Sequence, residues 1–267
     1  MVEKTLALAG RDEESRAYGA KADAVGNDFN ARFFDAAQHR YDKGSQTAQA
    51  MPLVVGLVPE DERSHVLDAL VADVRAHNNH VTAGDVGFHY VVDALLDGGR
   101  SDVLYDMLER TDAPSYGFQL SQGATALTEA WDANPTSSQD HFMLGHAEEW
   151  FYRGLGGINV DMSAQAPRQI VLRPQIVGKL SYVRTSYVSA FGPIESNWRR
   201  SPSRIEYEFT IPANASATAE LNTFSLDSLR VNGSIPAKAD GVTRATSSAG
   251  KAVLVLGSGH YTISGPI

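Results

Sequence analysis

The sequence has 267 residues, of which 43% are hydrophobic, with no cysteine and a formal net charge of −9. This length and hydrophobic content predict a globular chain of two domains, and the lack of cysteine excludes disulfides and thiolate chemistry. Residues 1–160 hold 25 acidic and 12 basic residues, a balance of −13, against +4 for the remainder. Nucleic-acid binding, which needs clustered Lys and Arg, is therefore excluded. With neither a signal-peptide pattern nor a membrane-spanning apolar run, we expect a cytoplasmic protein.

The first part of the chain has the three- and four-residue apolar spacing of amphipathic helices joined by short connections. Within residues 62–76 one face collects Val66, Leu67, Leu70, Val71 and Val74. About seven helical segments are predicted, with no strand between them. They cover residues 21–38, 46–57, 62–76, 86–96 and 101–108, a segment that begins at 123–125 and bears Glu129 and Trp131, and residues 140–155.

After Gly156 and Gly157 the pattern changes to short β-branched or aromatic segments separated by Gly, Pro, Asn and Ser. Strands are predicted at residues 169–174, 180–185, 204–211 and 251–256. The alternation in the third of them predicts a single core face made of Ile205, Tyr207, Phe209 and Ile211. These features are typical of a β-sandwich or a similar antiparallel domain.

The stretch at residues 123–150 combines carboxylates and aromatic residues. Glu129 lies two residues before Trp131, and His141 follows twelve residues after Glu129. Sugar sites pair flat aromatic side chains with carboxylates and histidines, because a sugar ring has apolar faces and polar edges. The alternative interpretation is structural: aromatic residues in helices usually belong to the core, and a lone Glu is usually solvated.

The same stretch resembles the signature of the bacterial α-L-rhamnosidases with an (α/α)6 barrel. That signature reads roughly GATT, an aliphatic residue and WERWD, then a histidine–aromatic pair and G-x-x-x-E-W-aromatic-Y-R. The matching positions are residues 123–125 for the opening, Glu129 for the central acid, residues 131–132, the pair at 141–142, Gly145 and residues 149–153.

The resemblance extends over nearly the whole chain from about residue 29. Segments 83–87 (AGDVG) and 113–117 (APSYG) are similar to the family's T-G-x-x-G and Y-P-S-W-G. Segments similar to the family's carboxyl-terminal sandwich lie at 156–158, 170–174, 191–198 and 211–217. The resemblance implies an α+β multidomain fold: a partial (α/α)6-barrel-type helical domain in residues 1–158 and a C-terminal antiparallel β-sandwich in residues 159–267.

The resemblance also implies an inverting glycosidase that hydrolyses terminal α-L-rhamnosides. Glu129 aligns with the general base that activates water, and His141 with a histidine that contacts the sugar. The positions that align with the wall of the sugar site are Trp131, Asp132, Tyr116 and Phe142. No cofactor is expected. No metal site is expected either, because the histidine pairs lack the helical i, i+4 spacing and cysteine is absent.

Several positions depart from the family pattern. Thr128 and Tyr116 stand where the family has Trp, Ala130 where it has Arg, and residues 139–140 where an Asn precedes the histidine. Loss of an indole removes stacking area worth about 1–2 kcal/mol. The family's general-acid segment, R-D-E-R-apolar-G-W-x-G-D, does not occur in these 267 residues, since RDEE at 11–14 lacks the continuation.

A barrel cut in half would expose apolar helix faces at two edges, more than a monomer usually tolerates. We therefore expect a missing amino-terminal half or self-association to cover the open edge. Two hypotheses remain for function. In the first, the chain is part of a rhamnosidase whose base is Glu129 and whose acid comes from elsewhere. In the second, it is a catalytically silent protein that binds rhamnosides or another partner.

Overall fold

The structure is a computed structural model that describes residues 1–160, 169–222, 225–248 and 250–267. The described residues form two compact units, which we call the first unit (Met1–Gly98 and Met107–Leu144) and the second unit (Gly99–Asp106 and Gly145–Ile267). Among the helices of these ranges, none has the length and apolar character needed to cross a membrane. The strands belong to the second unit, apart from one two-residue hairpin in the first.

Eight α-helices are found in the described chain. They are α1 (Val2–Leu8), α2 (Asp12–Phe33), α3 (Gln46–Val55), α4 (Arg63–Ala76), α5 (Asp85–Asp97), α6 (Ser101–Leu108), α7 (Tyr116–Ser121) and α8 (Ala147–Trp150). A short 3-10 turn at Glu60–Glu62 precedes α4. A second 3-10 turn, Phe142–Leu144, follows the loop after α7, and a π-helical turn at Phe151–Leu155 continues α8. The helices predicted over 62–76, 86–96 and 101–108 are therefore confirmed.

The core of the first unit forms where α3 packs against α4 and α5. The predicted buried face of α4 is confirmed for Val66, Leu70, Val71 and Val74, while Leu67 is half-buried. The buried amide of Gln46 joins this core to the loop that follows α4. Gln46 donates to the His80 carbonyl and accepts from the Thr82 N–H, each at 3.0 Å. These bonds satisfy polar groups that would be costly to bury without partners.

Three expectations for the helical part differ from the structure. The helix predicted over residues 21–38 covers Asp12–Phe33 instead. A short hairpin of two-residue strands, β1 (Phe34–Asp35) paired with β2 (Arg40–Tyr41), lies in the region where only helices were predicted. Residues 122–140, which include the segment expected to carry Glu129 on a helix, form turns and bends.

The second unit contains two five-stranded sheets. The remaining strands are β3 (Ile158–Val160), β4 (Gln169–Leu172), β5 (Tyr182–Ser189), β6 (Gly192–Arg200), β7 (Arg204–Ile211), β8 (Ser216–Asn222), β9 (Arg230–Val231), β10 (Val242–Ser248), β11 (Lys251–Leu256) and β12 (Gly259–Pro266). One sheet has the order β10-β11-β8-β4-β3 and the other β5-β6-β7-β12-β9. All pairs are antiparallel except β4 with β8.

One hydrophobic cluster collects buried side chains from both sheets, as in a sandwich. The predicted core face of β7 is confirmed, since its four apolar residues are each at most 5% exposed. Opposite them lie residues of the other sheet, among them Ile170, Leu172 and Leu254. The expected helical region followed by a C-terminal antiparallel-sheet region is therefore confirmed.

Candidate active site

The loop between α7 and the Phe142–Leu144 turn carries most of the predicted site residues. Two backbone hydrogen bonds hold its arms together: His141 N–H donates to the Leu127 carbonyl at 2.8 Å, and Glu129 N–H donates to the Ser138 carbonyl at 2.9 Å. The arms thus run antiparallel, and Glu129 and Ser138 are nine positions apart in the sequence. This pairing replaces the i to i−4 bonds of the predicted helix and fixes Glu129 relative to His141.

Glu129 is exposed, and its carboxylate is oriented by the opposite arm of the loop. The Ser138 N–H donates to Oε2 at 3.1 Å. Within the described residues, the other oxygen, Oε1, accepts no hydrogen bond. A carboxylate held by one oxygen and open at the other can accept a proton from a bound water.

Trp131 is half-buried and belongs to an aromatic cluster of the first unit. Its indole N–H donates to the Ala83 carbonyl at 2.8 Å. Its ring stands nearly perpendicular to the rings of Phe88 and Tyr116, with both centroid distances 5.1 Å. The Tyr116 hydroxyl in turn donates to the Leu144 carbonyl. The polar groups of Trp131 and Tyr116 are therefore engaged within the protein, and the two rings brace the site loop.

His141 lies beside a carboxylate that the sequence did not single out. Its Nε2 is 3.6 Å from Oδ2 of Asp85, the first residue of α5. That nitrogen is shielded from water and has no hydrogen-bond partner among the residues that the structure describes. The side chains of His141 and Asp85 are 20% and 43% exposed, so the pair lies at the surface.

The remaining predicted positions are open to solvent. Phe142 is 82% exposed, which is unusual for a large apolar side chain. Asp132 is also exposed, and its Oδ1 accepts from the Asn134 N–H at 3.2 Å within the loop. The structure thus brings Trp131 and Tyr116 together, places Glu129 and His141 on paired arms, and leaves the side chains of Asp132 and Phe142 at the surface.

Thr128, which stands where the family pattern has Trp, is buried. It is only 1% exposed, and its hydroxyl donates to the Ala130 carbonyl at 2.8 Å. A small side chain at this position lets the loop fold inward. An indole in the same orientation would require this part of the loop to move.

Two contributors to the site, Asp85 and Phe88, were not selected by sequence reasoning. Both lie in or next to the segment at residues 83–87, which is similar to the family's T-G-x-x-G. Their role becomes visible through long-range contacts to His141 and Trp131. The position of that segment, at the start of α5, is the signal that could have identified them.

Two family models match the chain. One, described as the bacterial alpha-L-rhamnosidase 6 hairpin glycosidase domain, covers residues 1–155. The other, described as the bacterial alpha-L-rhamnosidase C-terminal domain, covers residues 157–234.

Curated relatives named alpha-L-rhamnosidase include proteins from Alteromonas sp. (strain LOR) and Formosa agariphila. The first is 26% identical over 227 residues and the second 29% over 225, covering 81% and 82% of this chain. In both cases the match takes up 24% of the relative. The chain therefore spans about a quarter of the length of the curated relatives it matches.

Solved structures have the same fold. An alpha-L-rhamnosidase from Dictyoglumus thermophilum has a TM-score of 0.85 at 25% identity, over 99% of this chain and 30% of that one. The Streptomyces avermitilis alpha-L-rhamnosidase complexed with L-rhamnose has a TM-score of 0.87 at 24% identity, over 98% and 25%. The helical region and the sheets of the second unit are thus both found in these larger proteins.

Proposed function

This chain belongs to the bacterial α-L-rhamnosidase family, and we propose that it supplies the general base of a glycosidase that releases terminal α-L-rhamnose with inversion. In such a reaction one carboxylate activates water on one face of the sugar ring. A second, protonated carboxyl group donates to the leaving oxygen on the other face. Glu129 has the first role.

The state of the Glu129 carboxylate is the observation that carries this proposal. Oε2 accepts from the Ser138 backbone N–H, which orients the group, and Oε1 is left for a water molecule. The antiparallel arms of the loop limit its movement.

The sugar is held by the neighbours of Glu129 in this proposal. His141, whose side chain is 20% exposed, takes a sugar hydroxyl, and Asp132 takes another. The exposed ring of Phe142 and the exposed part of Trp131 lie against the apolar face of the sugar. Tyr116 acts by supporting Trp131, since its hydroxyl is already bonded to Leu144.

The general acid is not assigned to any residue of these 267. A second carboxyl group would have to face Glu129 at roughly 6.5–9.5 Å, leaving room for water and sugar. The substrate is a rhamnoside in this proposal, because rhamnose is the sugar named for the relatives and for one of the structural neighbours. The aglycone is left open.

Substitution of Glu129 by Gln is the first test. The amide keeps the size of the side chain and its bond to Ser138 but cannot accept a proton from water. Hydrolysis of 4-nitrophenyl α-L-rhamnoside would be assayed with the 267-residue chain alone and with a partner polypeptide that carries the family's general-acid segment. We expect Glu129→Gln to abolish turnover and to leave L-rhamnose binding, measured by calorimetry, within a few-fold.

Asp140→Asn is the matched control, because Asp140 is an exposed carboxylate on the same loop. It should leave turnover unchanged. A further readout is specific to a base: Glu129→Gly with added azide should form a rhamnosyl azide of inverted configuration. Full activity of Glu129→Gln would overturn the assignment.

The silent-binder alternative is favoured by one observation, the buried Thr128 in place of an indole. It predicts rhamnoside binding without turnover by the wild-type chain in every form assayed. The calorimetric and kinetic measurements above therefore separate the two functions.

We also propose the domain division: residues 1–158 as part of a barrel and residues 159–267 as a sandwich domain. The exposure of the first two helices supports the expectation that another part of a barrel or another chain covers them. α1 has no buried residue and α2 only Ser15, while Tyr18 and Val25 of α2 are 49% and 59% exposed. Further barrel helices or a second copy of the chain would cover them, and sedimentation of the purified chain distinguishes a dimer from a monomer.

A further inference from the structure

A cluster of two histidines and one glutamate lies in the first unit, apart from the candidate active site. His39 Nδ1 is 2.6 Å from Oε2 of Glu62, and His65 Nδ1 is 3.4 Å from the same oxygen. One ligand atom from each of the three residues lies within 4.8 Å of the others. We propose that His39, Glu62 and His65 form a binding site for a divalent transition-metal ion of the zinc type.

The fold brings these residues together from two separate segments. His39 lies in the turn of the β1–β2 hairpin and has a positive φ of 50°. The same turn is held by the Asp35 carboxylate, which accepts from the N–H groups of Ala37 and Gln38 at 3.0 and 3.2 Å. The imidazole of His39 is therefore presented by a short, internally bonded turn.

Glu62 and His65 come from the start of α4 and the turn just before it. Glu62 ends the 3-10 turn at Glu60–Glu62, and His65 lies in the first turn of α4. Residues three apart on a helix share a face, which places both side chains toward the hairpin. The His39 and His65 rings lie 4.4 Å apart, centroid to centroid. The three donors thus converge from opposite sides.

The donor set and its geometry suit zinc. Neutral imidazole nitrogen and carboxylate oxygen are common zinc ligands, with bonds of about 2.0–2.2 Å, so ligand atoms around a tetrahedral ion lie roughly 3.3 Å apart. The His65–Glu62 distance already has that value. The His39–Glu62 distance must widen by less than about 1 Å, and a His39 side chain that is 43% exposed has room to rotate.

Exposure of the cluster fits an accessible site. The side chains of His65 and Glu62 are 53% and 20% exposed, so an ion can enter and water can complete its coordination. A bound ion would also connect the hairpin to α4, two segments that are 26 residues apart between His39 and His65. Because it binds only the folded arrangement, it would raise the stability of the first unit.

His77 and Asp73 provide an internal comparison. His77 Nδ1 is 3.3 Å from Asp73 Oδ2, and the His77 side chain is 50% exposed, close to the value for His65. Among the described residues, this pair does not belong to any group of three potential ligands. It is therefore a matched control, with one imidazole and one carboxylate of similar exposure to His65 and Glu62 but two donors in place of three.

The test uses tag-free protein dialysed against a chelator. Calorimetric titration with Zn²⁺ should show one saturable site, and Co²⁺ should give the visible absorption of a nitrogen- and oxygen-ligated ion. Zn²⁺ should also raise the thermal unfolding midpoint. His39→Ala, Glu62→Gln and His65→Ala should each weaken binding about 10-fold or more, whereas His77→Ala should leave it unchanged.

A second measurement does not depend on folded variants. In the wild-type protein, Zn²⁺ should shift the imidazole nitrogen resonances of His39 and His65 and leave those of His77 in place. The proposal is overturned if the wild-type chain shows no saturable binding, or if His77→Ala weakens binding as much as His65→Ala. It is also overturned if Zn²⁺ leaves the resonances of His39 and His65 unmoved.

Discussion

The imidazole of His141 lies 3.6 Å from the carboxylate of Asp85, although the two residues are 56 positions apart in the sequence. Among the described residues, Nε2 of His141 has no hydrogen-bond partner, and Asp85 lies within ion-pair distance of it. This contact connects the site loop to the start of α5. It also connects two segments that the sequence relates only through the family pattern.

A double-mutant cycle should detect this contact in stability. His141→Gln and Asp85→Asn should each lower the free energy of unfolding, and the double mutant should lose less than the sum. Because the pair is at the surface, we expect a coupling of about 0.5 kcal/mol, within the range for exposed ion pairs. Urea denaturation of the four proteins measures it. Strict additivity would show that the two side chains do not interact.

Trp131 should contribute to the stability of the first unit through its contacts within the protein. Trp131→Ala removes an edge-to-face partner of Phe88 and Tyr116 and leaves the buried Ala83 carbonyl without its donor. We expect a loss of about 2–4 kcal/mol in urea denaturation, given the half-buried position. Trp131→Phe, which loses chiefly the hydrogen bond, should cost about 1 kcal/mol.

Phe142→Ala is the matched control for this prediction, because Phe142 is an aromatic residue of the same region that is 82% exposed. Its free energy of unfolding should stay within about 0.5 kcal/mol of the wild-type value. A large loss for Phe142→Ala would show that its ring is packed, against the present structure. In the proposed function its effect appears in rhamnoside binding instead.

The sequence predicts the elements that are determined by periodic burial. The apolar spacing of α4 and the strict alternation of β7 each identified a buried face, because each element meets the core along its whole length. Local pattern is sufficient in such cases.

The loop at residues 122–140 could not be predicted in this way. Its alanines and Glu129 favour a helix, but a buried Thr128, the bond from Trp131 to Ala83 and the pairing of Glu129 with Ser138 outweigh local propensity. The convergence of His39 with Glu62 and His65 is likewise a product of tertiary structure. No spacing rule connects a hairpin turn to a helix 23 residues later.

Tyr41 should make the first unit sensitive to alkaline pH. Its ring is 1% exposed, its hydroxyl donates to Asn30 Oδ1 at 2.8 Å, and burial raises its pKa to about 12. The unfolded chain releases the same proton near pH 10. Between these values the folded state holds a proton that the unfolded state has lost, so stability is fully present below pH 10 and falls as the pH rises toward 12.

Tyr41→Phe isolates this contribution from other buried tyrosines. The variant should be less stable than the wild type at pH 9, because it lacks the bond to Asn30. Its unfolding free energy should then decline less than that of the wild type between pH 9 and pH 11. Parallel decline of the two proteins would show that Tyr41 ionises normally in the folded state.

Asp112 should contribute a stabilisation that is lost in acid. The Arg110 guanidinium donates to both carboxylate oxygens, at 2.9 and 2.6 Å, and His80 Nε2 lies 3.1 Å from Oδ1. The bonds from Arg110 lower the pKa of Asp112 to about 2. Because the folded pKa is below the unfolded value, the contribution is present above about pH 4 and disappears as the pH falls to 2.

In the Asp112→Asn variant, the free energy of unfolding should fall less than that of the wild type as the pH is lowered. Chemical denaturation at pH 5, 4 and 3 would compare the variant with the wild type, and Asp140→Asn serves as an exposed carboxylate control. The wild type should approach the variant in stability as the pH falls. A constant difference in unfolding free energy between the two proteins across this pH range would contradict a lowered pKa of Asp112.

Gly157 should be the least replaceable glycine of those at the start of the second unit. Its φ is +73°, a conformation that L-residues adopt at a cost of about 1–2 kcal/mol. A Cβ added there would lie 2.2 Å from the backbone nitrogen of Pro174, and backbone cannot move aside as a flexible side chain can. The carbonyl of Gly157 also accepts from the Arg173 N–H at 2.9 Å, which fixes the approach.

Gly157→Ala should therefore destabilise the second unit by roughly 2–5 kcal/mol, the sum of strain and overpacking. Gly250→Ala separates the two causes, since Gly250 has a similar φ of +76° and open space around its Cα. It should lose only about 1–2 kcal/mol. Thermal unfolding followed by near-ultraviolet circular dichroism measures both. Equal losses would mean that Pro174 yields to the new methyl group and that backbone conformation alone sets the requirement for glycine at position 157.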